Sequence, residues 1–191
     1  MYKLHNTYSA NLFRSFPALP PRPLPGYPRP TVSFRIILEQ QTLRFAAAHF
    51  TTFAGECEPL HGHNYALSVE IEGELTADSW VLDFSEAKAL VRDICSELDH
   101  KFLLPLENPA LEIAASDAEF EIRFGDRRYV IPRSDVAELP IDNSTAERLA
   151  EYIAGKIASS LLERGALNVT SIAVGVEETP GQSGWFRQDL P

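Results

Sequence analysis

The stretch His61-Gly62-His63-Asn64-Tyr65-Ala66-Leu67-Ser68-Val69-Glu70-Ile71 decides how the chain folds. Successive side chains of an extended segment point to opposite sides, so His61, His63, Tyr65, Leu67, Val69 and Ile71 share one face. An apolar face that begins with two imidazoles predicts a half-buried strand whose first turns carry chemistry. Upstream, Leu43, Phe45, Ala47 and His49 repeat the two-residue period, so a second strand ends in a third histidine. Gly73 and Asp78 mark the turn that follows.

Further along, the period changes. Leu90, Val91, Ile94 and Leu98 make an apolar stripe at helical spacing and predict a helix over 85–98, capped by Asp83 or Ser85. Residues 119–124 and 127–131 read as a hairpin around Gly125-Asp126. Residues 143–147 then open a second helix, with Ser144 and Glu147 at capping-box spacing. Leu149, Ala150, Ile153, Ile157, Leu161 and Leu162 supply its buried face, and Gly165 its stop. A last strand aligns Ile172, Val174, Val176 and Glu178. This order predicts an α+β domain, with helices on one side of an antiparallel sheet.

The 191 residues suffice for one domain with a sizeable core. No apolar run approaches the roughly 20 residues of a membrane helix, and no signal-peptide core is legible, so a cytoplasmic protein is expected. Residues 17–30 hold seven of the fourteen prolines, which marks 1–33 as an extension and 34–191 as the domain. That extension has four basic and no acidic residues, so the remainder carries 13 basic against 27 acidic side chains, a net charge of −14. Such a body repels phosphate backbones and argues against nucleic acid as a partner. Two cysteines are too few for a disulfide framework.

The pair His61 and His63, with His49 ending another strand, has the donor types and parity for zinc, leaving a coordination position open, or is a set of histidines hydrogen-bonded at strand ends. Cys57 lies four residues before His61 in a Gly/Pro loop, where it is either a fourth ligand or a free thiol that does chemistry. Cys95 falls on the helix stripe as a small core residue. Asp99-His100 can form an oriented proton donor and acceptor or simply decorate a helix end. Glu178 on an apolar face needs a partner, either a buried Arg or the paired N–H donors of a pterin or guanine. Trp80, Trp185 and Phe186 can stack on such a ring or pack the core. Lys101 and Arg187 are candidates for receiving phosphate.

Taken together, Phe45-Ala46-Ala47-Ala48-His49, Cys57-x-x-x-His61-Gly62-His63-Asn64-Tyr65, Leu82-Asp83-Phe84, Leu98-Asp99-His100, Ser144-Thr145-Ala146-Glu147 and Glu178-Thr179 resemble the 6-pyruvoyl-tetrahydropterin synthase and 6-carboxytetrahydropterin synthase family. This resemblance implies the tunnelling fold, a four-stranded antiparallel sheet with two helices, assembled as a hexamer of two stacked trimers with sites between subunits. It implies His49, His61 and His63 as zinc ligands and Cys57 as the proton-abstracting base. It also implies Asp99 and His100 as a relay from a neighbouring subunit, Glu178 as pterin anchor and Thr145 as a second contact. The implied substrate is 7,8-dihydroneopterin triphosphate. The three-residue gap between Cys57 and His61 favours the 6-carboxy product, used in queuosine synthesis, over the 6-pyruvoyl one. Glu58 is a feature that some relatives use to make a folate precursor, 6-hydroxymethyldihydropterin. A stretch over about 111–139, containing the hairpin, reads as an insertion. The rival outside enzymes is a zinc-stabilised binding module in which Cys57 closes the site.

Overall fold

A computed structural model describes residues 33–191, and the proline-rich extension expected over 1–33 lies outside the described residues except for Ser33. In chain order the elements are β1 (Phe34–His49), β2 (Thr52–Phe53), β3 (Glu56–Cys57), β4 (His61–Gly73), α1 (Phe84–Leu98), β5 (Lys101–Pro105), β6 (Glu112–Ala115), β7 (Glu119–Phe124), β8 (Arg127–Pro132), β9 (Val136–Leu139), α2 (Ala146–Glu163), β10 (Val169–Thr179) and β11 (Gln182–Asp189). The main sheet runs β11-β10-β4-β1-β5-β9. Its four long strands β11, β10, β4 and β1 are antiparallel neighbours, which is the expected sheet. The short β5 and β9 extend it through parallel pairings. They are too brief to show a period and were not legible beforehand.

The core forms where the two periods meet. Tyr65, Leu67, Val69 and Ile71 of β4 are buried beside Leu43, Phe45 and Ala47 of β1. Nearer its start β1 buries the even position Leu38, and a register break between Glu39 and Arg44 resets the parity. Ala87, Leu90, Val91, Ile94, Cys95 and Leu98 of α1 join Leu149, Ile153, Ile157 and Leu161 of α2 in one cluster with this face. Each fully buried large aliphatic side chain there contributes about 1.5–3 kcal/mol. Leu162, expected inside, is 40% exposed, because it falls beyond the stripe that Leu161 closes. Other strand positions carry the ion pairs Arg35–Glu70 and Arg187–Glu72.

Asp83 caps α1, accepting from the backbone N–H groups of Ser85 and Glu86. The cap of α2 is Thr145 and not Ser144, whose hydroxyl donates instead to the Phe50 carbonyl at 2.9 Å. The segment 112–132 forms a separate three-stranded sheet β6-β7-β8, with Gly125 at φ 56° in the tight turn. Phe120 and Ile122 of that sheet bury themselves against Phe50, Cys57, Phe102 and Leu104 in a second apolar cluster. No helix among the described residues is long and apolar enough to cross a membrane.

Candidate metal centre and pocket

Pairing of β1 with β4 places His49 directly opposite His61, with Ala47 opposite His63. The three rings converge, with centroid separations of 4.6 Å (His49–His61), 4.9 Å (His61–His63) and 5.1 Å (His49–His63). One donor nitrogen from each lies within 4.8 Å of the others, a group that can hold a metal ion. Gly62 between them is required by close approach. A Cβ there would sit 2.8 Å from the Ala47 carbonyl oxygen.

The tautomers follow from the neighbours. His49 Nδ1 lies 3.0 Å from the Ser144 carbonyl, and His61 Nδ1 2.9 Å from the Pro59 carbonyl. A carbonyl only accepts, so each Nδ1 carries the proton and each Nε2 keeps its lone pair. Among the described residues His49 Nε2 is buried without a partner, an orphan whose desolvation a metal ion would offset. Burial lowers the His49 pKa to about 4; the two neighbouring histidines add to this, and the Ser144 carbonyl opposes it. The ring is therefore neutral at pH 7 and ready to donate. The residues fit a metal.

These histidines open into a cavity of about 600 Å³ that is also lined by Thr51, Glu58, Thr145, Glu147, Glu178 and the 181–184 turn. Glu178 sits at a bulge of β10 and, among the described residues, makes no ion pair, so the buried-Arg alternative is absent. Desolvation raises its pKa, Glu147 and Glu58 push the same way, and His63 and His61 oppose. Such a carboxylate is primed to accept hydrogen bonds from a ligand. Tyr65, fully buried beneath His49 and His63, has no partner for its hydroxyl among the described residues, and burial drives its pKa well up.

Cys57 and Glu58 point to different surroundings. The thiol is buried among Phe50, Phe102, Phe120 and Ile122, outside the histidine donor group. Desolvation raises its pKa; Arg127 opposes, and Glu58 adds to the rise. Glu58 lines the histidine cavity, where the Thr51 hydroxyl donates to its carboxylate at 2.6 Å and holds its pKa down, aided by His61 and His49.

Asp99 and His100 line up as a pair, with His100 Nδ1 2.9 Å from Asp99 Oδ2. Asp99 also accepts from the Ala46 N–H at 2.7 Å, the main reason its pKa is lowered. His100, strongly exposed, opens onto a second hollow that shares His63 with the first. Lys101 donates to the Ser134 carbonyl and Arg187 is paired with Glu72, so both phosphate candidates are engaged. Trp185 packs across Gly175, while Trp80 lines a separate hollow between the helices. Sequence reading missed the site contacts of Thr51, Ser144 and Arg127, the last two of which come from distant segments.

A sequence model of the 6-pyruvoyl tetrahydropterin synthase family matches residues 39–189. A candidate 6-carboxy-5,6,7,8-tetrahydropterin synthase of Methanocaldococcus jannaschii is 38% identical over 149 residues, 78% of this chain and 91% of that protein. The dihydroneopterin monophosphate aldolase of Pyrococcus furiosus is 41% identical over 69 residues, 36% of this chain and 59% of that one. Among solved structures, the 6-pyruvoyl tetrahydropterin synthase of Plasmodium vivax superposes with a TM-score of 0.78 at 32% identity, covering 83% of this chain and 99% of its own. A second structure of that enzyme, with a catalytic glutamate replaced by alanine, aligns over the same shares at 31% identity and a TM-score of 0.78.

Proposed function

The chain belongs to the 6-pyruvoyl tetrahydropterin synthase family, and from that premise we propose that it is a zinc-dependent lyase acting on 7,8-dihydroneopterin triphosphate. Its product is 6-carboxy-5,6,7,8-tetrahydropterin, formed with loss of triphosphate and acetaldehyde. The observation that carries this is the trio His49, His61 and His63, two of them locked by backbone carbonyls with Nε2 free, facing a cavity lined by three carboxylates, Glu58, Glu147 and Glu178. Three imidazole donors suit zinc, which when bound would supply Lewis acidity toward the side-chain hydroxyls of the substrate.

The chain's own residues do the rest. Glu178 accepts hydrogen bonds from the 2-amino and ring N–H groups of the pterin and fixes its orientation, with Thr145 beside it. Proton abstraction from the side chain falls to the Cys57-Glu58 pair, and Asp99 with His100, supplied by a neighbouring subunit of a hexamer, returns the proton on the opposite side.

A specific observation favours a second reading of the outcome. Glu58, ionised and held by Thr51, faces the histidines, whereas the Cys57 thiol is turned into an apolar cluster. The Plasmodium vivax relative has a catalytic glutamate, and the Pyrococcus furiosus relative is named for an aldolase activity. With Glu58 as base taking the 2′-hydroxyl proton, the same site would break the C1′–C2′ bond, reprotonate C1′ to leave 6-hydroxymethyldihydropterin, and release the other two carbons as an aldehyde that carries the triphosphate. Mass spectrometry of products from zinc-loaded protein decides between the outcomes. Glu58→Gln and Cys57→Ala are each expected to keep zinc, and the variant that loses a given product identifies its base. Absence of every pterin product from zinc-loaded protein would refute the enzyme reading, and loss of zinc from Cys57→Ala would support the binding module.

A further inference from the structure

The hairpin over 119–132 is where the chain attaches something to the site from far away in sequence. At the start of β8, just after the turn at Gly125-Asp126, Arg127 Nη1 donates to the carbonyl of Cys57 at 2.7 Å and to that of Glu58 at 3.0 Å. Its neighbours behave otherwise: Arg123 and Arg128 both pair with Glu121, and Arg133 with Glu138. Arg127 has no such acid among the described residues, and its guanidinium is directed at two backbone carbonyls of one loop.

That loop needs an anchor. It leaves a turn in which Ala54 (φ 50°) and Gly55 (φ 81°) adopt left-handed backbone, and β2–β3 is only two residues long. On its inner side the Thr51 carbonyl accepts from the Glu58 N–H at 2.9 Å, and the Thr51 hydroxyl grips the Glu58 carboxylate. On its outer side Arg127 holds the carbonyls of Cys57 and Glu58, while Phe120 and Ile122 cover the Cys57 side chain. Adjacent residues of an extended loop face opposite ways, so this grip sets which of the two points at the histidines.

We infer that Arg127 is a positioning residue: by holding the carbonyls of Cys57 and Glu58 it fixes the loop so that the Glu58 carboxylate faces His49, His61 and His63. The hairpin is thereby part of the reacting site without touching substrate. This rests on the reading above in that it takes Glu58 to act in the reaction. Misplacing a reacting group by about 1 Å can lower turnover on the order of 100-fold with binding little affected.

The test compares zinc-loaded full-length wild type with Arg127→Ala, Arg127→Lys and Arg128→Ala. It measures zinc content, kcat and KM on dihydroneopterin triphosphate, and amide hydrogen exchange of the 54–60 loop and of α1. Arg127→Ala is expected to lower kcat by ~10–100-fold with KM changed by less than roughly threefold. Its zinc content and α1 exchange stay at the wild-type level, and exchange in the loop speeds up. Arg127→Lys, a single point donor, recovers part of kcat and of the loop protection. Arg128→Ala, which breaks only an exposed pair with Glu121, behaves as wild type. Wild-type kcat in Arg127→Ala overturns the inference, as does a fall in kcat with loop exchange unchanged. If Arg127→Ala loses α1 protection as well, Arg127→Lys decides, and no recovery in it counts against the inference. A wild type that makes no pterin product refutes the functional reading, and the loop exchange of Arg127→Ala then decides the positioning role by itself.

Discussion

Replacing Gly62 by alanine tests the geometry of the histidine cluster without touching a histidine. The new Cβ would lie 2.8 Å from the Ala47 carbonyl oxygen and 3.5 Å from the Ala47 carbonyl carbon and the Ala48 Cα. Ordinary contact begins at 3.4 Å, so the shortfall against the oxygen is about 0.6 Å. The obstacle is backbone and has no rotamer to change. Nor is β1 free to retreat, because β5 pairs with it at Ala47 and Ala48, the His100 N–H donates to the Ala46 carbonyl at 2.6 Å, and Asp99 accepts from the Ala46 N–H. The strain is therefore relieved between β1 and β4, which carry His49 on one side and His61 and His63 on the other.

A metal site tolerates deviations of about 0.2 Å in its bond lengths, so a displacement of several tenths of an ångström misaligns the ligands. Zinc affinity is expected to fall on the order of 10–100-fold, the range seen when ligand orientation is disturbed. In the metal-free protein the overpacking costs about 1–3 kcal/mol, offset by ~0.4–1 kcal/mol from the stiffer unfolded chain, for a net loss of about 1–2 kcal/mol. Competition against a chromophoric chelator measures the first quantity, and urea unfolding after chelation measures the second. The control is Gly155→Ala in α2, where an added Cβ meets nothing within 4 Å and stability should rise by about 0.5–1 kcal/mol. Wild-type zinc affinity and wild-type stability in Gly62→Ala would refute the reasoning.

Metal-free protein should lose stability as pH falls from about 6.5 toward 4, because His49 is neutral when folded but takes up a proton when unfolded across that window. The loss is no more than about 3 kcal/mol, and urea midpoints at both pH values should show it in wild type and not in His49→Gln. Tyr65→Phe removes a buried hydroxyl with no partner, so unfolding of the chelated protein should show no loss and a gain of up to about 1 kcal/mol. A destabilisation of more than about 1 kcal/mol would mean that the hydroxyl has a partner in solution.

Much of the frame was legible because single faces repeat. The β4 face from His61 to Ile71, the α1 stripe from Leu90 to Leu98 and the Gly125-Asp126 turn each announce themselves within a short window, and all three stand in the structure. What escaped is decided by competition between distant groups. Ser144 has the spacing to cap α2, but its hydroxyl goes to Phe50 and its carbonyl to His49, so the cap passes to Thr145. The parity of β1 is readable from Leu43 onward and misleads before it, because the register break between Glu39 and Arg44 exchanges the faces.

The same logic bears on the loop before the histidines. Reading Cys57 as the residue that serves the site treats the loop as an isolated segment, in which either neighbour is as good as the other. In the folded chain the thiol is drawn into an apolar cluster built by Phe120 and Ile122, more than sixty residues later in the chain. The carboxylate of Glu58 is drawn the other way by Thr51, and it lies in the cavity lined by the three histidines. A thiol gains from that burial and a carboxylate would be penalised by it, so desolvation favours the same partition that Arg127 and Thr51 hold in place. The three histidines thus set where a metal can bind, while a hairpin distant in sequence sets which adjacent side chain meets it.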